Sequence, residues 1–509
     1  MKSSLPKLFC LAAVAATAAA IADDEVFEVQ EIPYSGRVVT ASFADFNGDG
    51  ADDLMLVTLD GIPPAESRTI HVHYQSEGGV FPEEPSRSIA VPLRAAVYDI
   101  ADVLAAPGEE LVLLRPDAVS VISVATDQLE HWPVPPPTTV GPAEDERGFE
   151  RYRMAFDEFG GAPWILVPQI GALTALVDGG ETLATLDVGR RANYYIDSGG
   201  GLLSIESDMQ LYFDSPKISV GDIDGDGLAD ILAATRHELR IFLRDTDGGI
   251  PAEPSYSLAL GLINETDHTR GTGSVVTSAR DIDADGRLDL MISHIEGTMV
   301  DTVTKTRIFM NREGRWNLDK PDDEFISEGS VTSDVLMDID RDDALELIRI
   351  QFKFSVLEMV ELLLTREIDA VISIHQLQDD GRFGEEPWSR KKIGTKISFE
   401  TFRPRGFMPT AGLDLNADGL MDFIASANGK GIEVYLGGDE GPFSRRVALQ
   451  KMPTAGIIQL DDFNNDALAD FVLFDPQTFD PTIRIGRNLG QLPGVPGDSG
   501  APVGMQQAL

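Results

Sequence analysis

Short apolar runs recur along the chain, and each follows directly on an acidic segment. The clearest runs occupy residues 54–57, 231–234, 290–293 and 471–474. Runs of this length bounded by turn residues indicate strands that are buried on both faces. A second strand follows in the same repeat, with alternating apolar and polar residues at 70–74, 239–243 and 432–436. The pattern predicts an all-β chain built from many short strands.

The spacing of the acidic segments predicts the architecture. The segments start at residues 45, 222, 281, 338, 414 and 462. The first interval is about three times as long as the others, and two weaker copies lie within it, at 97–114 and 155–167. Eight units of about 60 residues, each with about four strands, predict a β-propeller of eight four-stranded blades. The count falls to seven if one weak copy is not a blade. A strand at residues 26–32 precedes the first unit, and we expect it to pair with the last unit and close the ring.

The acidic segments are nine residues long and carry the chemistry of a metal site. Oxygen-bearing side chains at positions 1, 3, 5 and 9 suit a hard cation, and the carbonyl at position 7 adds a further ligand. The side-chain ligands predicted in the first three segments are Asp45, Asn47, Asp49, Asp53, Asp222, Asp224, Asp226, Asp230, Asp281, Asp283, Asp285 and Asp289. Those in the last three are Asp338, Asp340, Asp342, Glu346, Asp414, Asn416, Asp418, Asp422, Asp462, Asn464, Asp466 and Asp470. The predicted carbonyl ligands are Ala51, Leu228, Arg287, Ala344, Leu420 and Leu468. We therefore expect about six bound Ca²⁺ ions.

The residues after each segment exclude an EF-hand. That motif needs a bidentate Glu at position 12, followed by a helix. Position 12 is instead occupied by Leu56, Ala233, Ile292, Arg349, Ala425 and Leu473. The acidic segments are therefore predicted to be turns between strands.

The Asp-x-Asp-x-Asp-Gly-x-x-Asp loop followed by a strand resembles the FG-GAP/VCBS repeat of integrin α-chain propellers and many secreted bacterial proteins. The resemblance covers roughly residues 25–490, within a propeller domain placed at 23–490. It implies a calcium-binding loop that joins the first two strands of a blade. It names no function, because the family includes adhesion modules, lectins and some polysaccharide lyases. The sequence departs from the pattern at position 6, where Asp343 and Ala467 replace glycine. The loop with Ala467 is the least certain metal site, because alanine tolerates a left-handed backbone poorly.

Composition adds expectations about location and partners. Residues 1–22 have the charged, apolar and small-residue regions of a signal peptide cleaved after Ala22, so we expect a secreted or periplasmic protein. The only cysteine, Cys10, lies in that segment, which leaves the mature chain without disulfides. The formal net charge of −43 argues against nucleic acid and anionic membranes as partners. No segment predicts a membrane span, and we expect a monomer.

Three segments depart from the repeat. Residues 355–367 form an amphipathic pattern that predicts a helix inserted in one blade, which packs locally or acts as a dimer or lid element. Residues 133–149 are predicted to be an exposed polar linker, and residues 491–509 a disordered tail.

No catalytic constellation is evident, so binding is favoured over catalysis. His71 and His73 share a strand face, which suits a metal pair or, more simply, a solvated face. Trp316 and Trp388 could stack on sugar rings, although rim packing is the simpler interpretation. The chain is interpreted as a calcium-binding adhesion or binding scaffold for a protein or polysaccharide. The alternatives are a secreted polysaccharide lyase or hydrolase on the same propeller, or a subunit of an envelope complex.

Overall fold

The computed structural model describes most of the chain between residues 25 and 494. The described part omits residues 62–65, 93, 136, 141–148, 178, 198–207, 265–272, 298–301, 354–361, 363, 399–402, 439–440, 444 and 480. Within the described residues the chain forms eight blades with a core of four antiparallel strands each. The predicted eight-bladed all-β propeller is confirmed, and the alternative of seven blades is wrong.

The first strand, β1 (Phe27–Pro33), belongs to the last blade. Blade 1 contains β2 (Arg37–Ala44), β3 (Asp53–Asp60), β4 (Ser67–His73) and β5 (Arg87–Ala90). Blade 2 contains β6 (Val97–Ala101), β7 (Glu110–Leu114), β8 (Ala118–Ser123) and β9 (Leu129–Pro133), with β10 (Glu150–Arg151) parallel to β6. Blade 3 contains β11 (Ala155–Phe156), β12 (Trp164–Gln169), β13 (Ala172–Val177) and β14 (Glu181–Asp187). A separate hairpin of β15 (Ala192–Asp197) and β16 (Asp208–Phe213) follows.

Blade 4 contains β17 (Lys217–Gly221), β18 (Asp230–Ala234), β19 (Glu238–Phe242) and β20 (Tyr256–Ala259). Blade 5 contains β21 (Ser274–Arg280), β22 (Asp289–Glu296), β23 (Val303–Phe309) and β24 (Asp323–Glu328). Blade 6 contains β25 (Ser330–Met337), β26 (Glu346–Lys353), β27 (Glu367–His375) and β28 (Ser389–Ser398), extended by β29 (Arg403–Pro404). Blade 7 contains β30 (Thr410–Ala411), β31 (Phe423–Ser426), β32 (Gly431–Leu436) and β33 (Arg445–Lys451). Blade 8 contains β34 (Ile457–Asp461), β35 (Asp470–Phe474), β36 (Thr482–Asn488) and β1.

In most blades the second strand is the most buried, which explains the continuous apolar runs in the sequence. Every residue of β7, β12, β18 and β35 is buried. The outermost strands β5 and β20 instead alternate between half-buried and exposed positions. A central strand lies between two neighbouring blades and is covered on both faces, whereas an outer strand has one face in solvent.

Eight hydrophobic clusters join the blades in the described part of the chain, one in each gap between neighbours. Met55 of blade 1 and Leu111 of blade 2 share one cluster. Leu54 of blade 1 and Val472 of blade 8 share another. Because the last blade packs on the first, the core is a closed ring.

The N-terminal strand closes this ring, as predicted. β1 pairs antiparallel with β36 from Phe27 opposite Asn488 to Pro33 opposite Thr482. The Gln450 side chain of blade 7 accepts hydrogen bonds from the Val26 and Phe27 backbone N–H groups at 3.0 and 2.8 Å. The outermost strand of the last blade therefore comes from the opposite end of the chain.

Two sequence predictions about irregular segments are wrong in part. Val134, Val140 and Phe149 are buried, so the described part of 133–149 is not an exposed linker. Leu492 is buried in the cluster between blades 7 and 8, so the predicted disordered tail is packed at its start. Residues 495–509 and the predicted signal peptide at 1–22 lie outside the described residues.

The predicted helix at 355–367 also lies mainly outside the described residues, and positions 362, 364 and 365 within it are helical. Among the described residues, no helix combines the length and the apolar character needed to cross a membrane.

Candidate metal centres

Each acidic loop joins the first strand of a blade to the second, as the repeat resemblance implies. The six loops belong to blades 4, 5, 6, 7, 8 and 1, which follow one another around the ring. The two weak copies occupy blades 2 and 3. Hydrogen bonds join each loop to the next, such as Leu288 N–H to Asp222 O at 2.8 Å between blades 4 and 5 and Asn465 Nδ2 to Gly50 O at 3.3 Å between blades 8 and 1. The loops therefore form one continuous arc at one end of the molecule.

All six loops share one backbone conformation. Positions 4 and 6 have positive φ in every loop; the residues are Gly48, Gly50, Gly225, Gly227, Ala284, Gly286, Arg341, Asp343, Ala417, Gly419, Asn465 and Ala467. Asp343 and Ala467, which replace glycine at position 6, have φ of 72° and 66°. The loop containing Ala467 therefore keeps the conformation of the other five, despite the strain that alanine carries there.

Backbone N–H groups hold the carboxylates at positions 1 and 5 inside the loop. In blade 1, Asp45 Oδ2 accepts the Gly50 N–H at 2.8 Å, and Asp49 Oδ1 accepts the Ala51 N–H at 3.0 Å. The bond to position 5 occurs in all six loops. In blade 8, Asp462 Oδ2 accepts the Ala467 N–H at 2.8 Å, so this loop closes like those with glycine.

The carboxylate at position 9 is buried and connects three parts of its blade. Asp289 is 1% exposed and opens β22, the second strand. Its Oδ2 accepts the N–H of Ile282 in the loop at 2.9 Å, and its Oδ1 accepts the N–H of Asn311, after the third strand, at 2.6 Å. Asp53, Asp230 and Asp422 make the same two kinds of bond. Position 9 therefore organises the blade in addition to being a candidate ligand.

Burial raises the pKa of the carboxyl groups at position 9. The pKa rises to about 6 for Asp230, to about 7 for Asp53, Asp289 and Asp422, and to about 8 for Glu346 and Asp470. Desolvation is the largest cause and neighbouring carboxylates add to it, whereas backbone N–H donors oppose it. A divalent cation in the loop would offset both effects and favour the ionised form.

The oxygen atoms that the loops bring together fit a hard divalent cation. In three loops, carboxylate oxygens of three side chains lie within 4.8 Å of one another. The groups are Asp222 with Asp224 and Asp230 in blade 4; Asp281 with Asp283 and Asp285 in blade 5; and Asp338 with Asp340 and Glu346 in blade 6. In the other three loops an amide occupies position 3, in Asn47, Asn416 and Asn464. An all-oxygen donor set of this kind suits Ca²⁺.

Unpartnered oxygens supply a second test of this fit. Asp340 Oδ1, Asn416 Oδ1 and Asp470 Oδ2 are buried at ligand positions without a hydrogen-bond partner. A buried oxygen without a partner is unfavourable, and a cation would satisfy it. Glu110 Oε1 in blade 2 is also unpartnered, but Leu104 and Ala106 stand at positions 3 and 5 of that loop instead of oxygen donors. The full ligand spacing is common to all six loops, and three of them combine it with an unpartnered oxygen.

The weak copies keep the turn but lack the full ligand set. In blade 2, Glu110 occupies position 9, and its Oε2 accepts the Val103 and Leu104 N–H groups at 2.9 and 3.0 Å. Asp102 retains position 1, but Leu104 and Ala106 fill positions 3 and 5, where the six loops have oxygen donors. In blade 3, Trp164 opens the second strand and stacks on Phe159 with ring centroids 3.9 Å apart.

Arginines approach two of the candidate sites, which the spacing of the ligands gave no reason to expect. Arg287 pairs with Asp285 within the loop of blade 5. Arg341, in the loop of blade 6, lies 3.5 Å from Asp414 Oδ2 in the loop of blade 7. Each arginine neutralises part of the charge that a cation would otherwise balance.

The other candidate residues have structural roles. His73 is fully buried, with Nδ1 at 2.8 Å from Pro82 O and Nε2 at 3.0 Å from Tyr34 Oη, so the predicted solvated face is wrong. Trp316 is 6% exposed and donates a hydrogen bond to Leu288 O, which supports rim packing over sugar stacking. Among the described residues, no histidine belongs to a potential metal-binding group.

Comparison with known proteins agrees with the repeat assignment. Residues 222–292 match the model of an FG-GAP-like repeat, a range that spans the acidic loops of blades 4 and 5. No curated protein is significantly similar to the chain.

Solved structures with a similar arrangement include the V. cholerae biofilm matrix protein Bap1, at 11% identity and a TM-score of 0.33, covering 91% of this chain and 89% of that one. The Dos1 propeller is 8% identical with a TM-score of 0.34, covering 91% and 96%. The WD40 domain of Toxoplasma gondii coronin is 9% identical with a TM-score of 0.31, covering 91% and 86%. Similarities this weak carry no functional argument, and the fold assignment rests on the strand pairing. The described chain is an eight-bladed β-propeller, and its residues 222–292 match an FG-GAP-like repeat.

Proposed function

We propose that the protein is an exported calcium-binding β-propeller that serves as a binding scaffold for a protein or glycan ligand. The observation that carries the calcium assignment is the repetition of one oxygen-lined loop, in the same place and conformation, in six consecutive blades. Unpartnered buried oxygens at ligand positions in three of those loops support it.

The role of calcium in this proposal is structural. Each ion would hold the turn between the first two strands of its blade, through side chains at positions 1, 3, 5 and 9 and the carbonyl at position 7. Magnesium is a poorer fit, because it demands a smaller octahedral shell and dehydrates reluctantly. The flexible coordination of calcium suits a loop in which backbone N–H groups already fix several carboxylates.

Export supports this role, and the predicted signal peptide at residues 1–22 supports export. Extracellular calcium modules bind with dissociation constants of about 10⁻⁴–10⁻³ M. Loops of such affinity would be filled outside the cell and empty in the cytoplasm.

Metal analysis of the mature protein tests the calcium assignment. We expect about six calcium ions per chain after equilibration with calcium, and one fewer in Asp226→Ala, which removes the ligand at position 5 of the blade 4 loop. Asp247→Ala is the matched control, since this exposed residue lies in a turn of the same blade outside the motif. Fewer than four ions, or eight, would contradict the assignment loop by loop.

The scaffold role is tested against its main alternative with one panel of polysaccharides. Immobilised polysaccharides report binding, and absorbance of unsaturated products reports a lyase. A scaffold retains the polysaccharide unchanged. Turnover of any member of the panel would favour the enzyme.

A further inference from the structure

We propose that neighbouring metal loops are energetically coupled, so that calcium bound in one blade raises the affinity of the site in the next blade. The inference rests on the proposed calcium sites and adds to them a regulation that the repeat pattern does not contain. It is carried by hydrogen bonds that cross from loop to loop around the ring.

Backbone hydrogen bonds connect most of the neighbouring loops directly. The N–H at position 8 of one loop donates to a carbonyl at position 1 or 2 of the preceding loop. These bonds are Leu288 N to Asp222 O at 2.8 Å, Leu345 N to Ile282 O at 2.9 Å, Met421 N to Ile339 O at 2.9 Å and Ala469 N to Asp414 O at 2.9 Å. The donor at position 8 directly precedes the position 9 ligand of its own loop. The acceptor carbonyl belongs to the preceding loop, either to the position 1 ligand itself or to its neighbour at position 2. Each bond therefore ties ligands of two different sites.

Amide side chains reinforce three of the junctions. Asn311 Nδ2 donates to Ile223 O in the preceding loop at 2.7 Å, and Asn488 Nδ2 donates to Leu415 O at 2.8 Å. Gln75 Nε2 donates to Phe463 O at 2.6 Å across the junction between blades 8 and 1. We call these three residues the amide clamps. In every case the acceptor is the carbonyl at position 2 of the loop in the preceding blade.

Each amide clamp also contacts the candidate site of its own blade. The backbone N–H of Asn311 donates to Asp289 Oδ1 at 2.6 Å, and that of Asn488 donates to Asp470 Oδ1 at 2.7 Å. The Gln75 N–H donates to Asp53 Oδ1 at 2.8 Å. Asn311 is 3% exposed and Asn488 is 4% exposed, so these bonds are shielded from water.

The clamp geometry gives the coupling a physical cause. Calcium bound in blade 4 would fix the peptide at positions 1 and 2 of its loop, and Asn311 with it. Because Asn311 also holds Asp289, the site of blade 5 would then lose less conformational freedom when it binds its own ion. If the first ion already orders part of the second site, the second ion binds with a smaller loss of entropy and therefore more tightly. The effect is reciprocal, so the second ion raises the affinity for the first by the same factor.

The junction between blades 6 and 7 offers an internal contrast. Gly437 takes the clamp position in blade 7 and donates its N–H to Asp422 Oδ1 at 2.7 Å, but it has no side chain to reach the preceding loop. The backbone bond from Met421 and the Arg341 contact connect these two loops. Coupling should therefore be stronger at the junctions that have amide clamps.

Calcium titration by calorimetry tests the coupling. The variant Asp226→Ala removes the site of blade 4, and we expect one of the remaining ions to bind about fivefold more weakly, or worse, since allosteric couplings start at that size. In Asn311→Ala, which removes no ligand and leaves the backbone bond from Leu288 N to Asp222 O in place, the same Asp226→Ala change should weaken the neighbouring site by a smaller factor. Asn317→Ala is the matched control, an exposed asparagine of the same blade whose side chain accepts a hydrogen bond from Asp319 N–H within its own turn.

The outcomes separate this inference from the calcium proposal. A protein that binds no calcium would overturn both. If six ions bind to the wild-type chain and Asp226→Ala loses one without changing the affinities of the others, the coupling alone is overturned. This second result needs only Asp226→Ala, so it decides the question even if Asn311→Ala does not fold.

Discussion

At the scale of single residues, each candidate site depends on two left-handed backbone positions and one buried acid. Position 4 has positive φ even where it is Ala284 or Arg341, so the loop conformation overrides the preference of the residue. In these loops backbone N–H groups donate hydrogen bonds to the acids at positions 1 and 5, which offsets that strain. The buried acid at position 9 then joins the loop to the sheet.

Ala467→Gly should stabilise the protein, because Ala467 is held at φ of 66°, a conformation that glycine adopts without strain. The left-handed conformation costs a non-glycine residue about 1–2 kcal/mol. Glycine also increases the conformational entropy of the unfolded chain, which offsets part of the stabilisation. We expect a net gain of up to about 1 kcal/mol in the free energy of unfolding, measured by denaturant titration with saturating calcium.

The control for this substitution is Ala51→Gly, at position 7 of the blade 1 loop, where φ is not positive. It should destabilise the chain by about 0.5–1 kcal/mol. Equal effects of both substitutions would show that the strain at Ala467 is not relieved by glycine.

At the scale of strands, the molecule depends on the pairing of its two ends. β1 supplies the outermost strand of blade 8, and Phe27 lies 5.0 Å from the Phe471 ring in an edge-to-face contact. Without β1, the edge of β36 would be unpaired and a buried apolar strip would face water. Closure therefore stabilises the fold and protects it from association through an open sheet edge.

Deleting residues 26–32 should abolish soluble monomer, which gel filtration measures. The milder variant Phe27→Ala should lower stability by about 3–5 kcal/mol, because the ring is 1% exposed and its loss leaves a cavity. The matched control deletes residues 495–509 from the other end of the chain. It keeps Leu492, which is buried between blades 7 and 8. If the N-terminal deletion stays monomeric with unchanged thermal stability, the ring must close without β1.

At the scale of the whole molecule, an acidic chain closes into a ring whose candidate metal sites lie side by side. The formal net charge is −43, and the candidate ligands concentrate carboxylates at one end of the propeller. Six divalent cations would neutralise only part of this charge. We expect the remaining negative charge to disfavour nucleic acid and anionic membranes as partners.

Removal of calcium should strongly destabilise the entire propeller. At a free calcium concentration ten times the dissociation constant, each site adds about 1.4 kcal/mol, so six sites add about 8 kcal/mol. That sum is comparable to the full stability of an ordinary domain. Thermal melting followed by circular dichroism should shift to much lower temperature in excess chelator and recover with calcium but poorly with magnesium. A melting curve that is insensitive to chelation would rule out a structural role.

Much of the fold was determined by the sequence alone, because each blade of a propeller repeats the same pattern of short strands and turns. The apolar runs beginning at residues 54, 231, 290 and 471 identified the central strands, since burial on both faces leaves a continuous apolar pattern. The spacing of the acidic loops predicted eight blades, and the strand at 26–32 predicted ring closure. All three predictions are confirmed. The predictions for 133–149 and for the tail are wrong only in part: among the described residues, Val140 and Leu492 are buried, because polar and Pro-rich segments can still pack apolar side chains.

The tertiary structure alone decided how the loops relate to one another. Asn311, Asn488 and Gln75 have no distinctive sequence spacing, and their role depends on the carbonyl of a different blade. The contact between Arg341 and Asp414 likewise joins residues 73 positions apart. Local patterns specify strands and turns through backbone sterics and hydrogen bonding, which act within a few residues. Contacts between blades depend on how the sheets pack around the ring, and a single sequence does not encode that packing in any periodic signal.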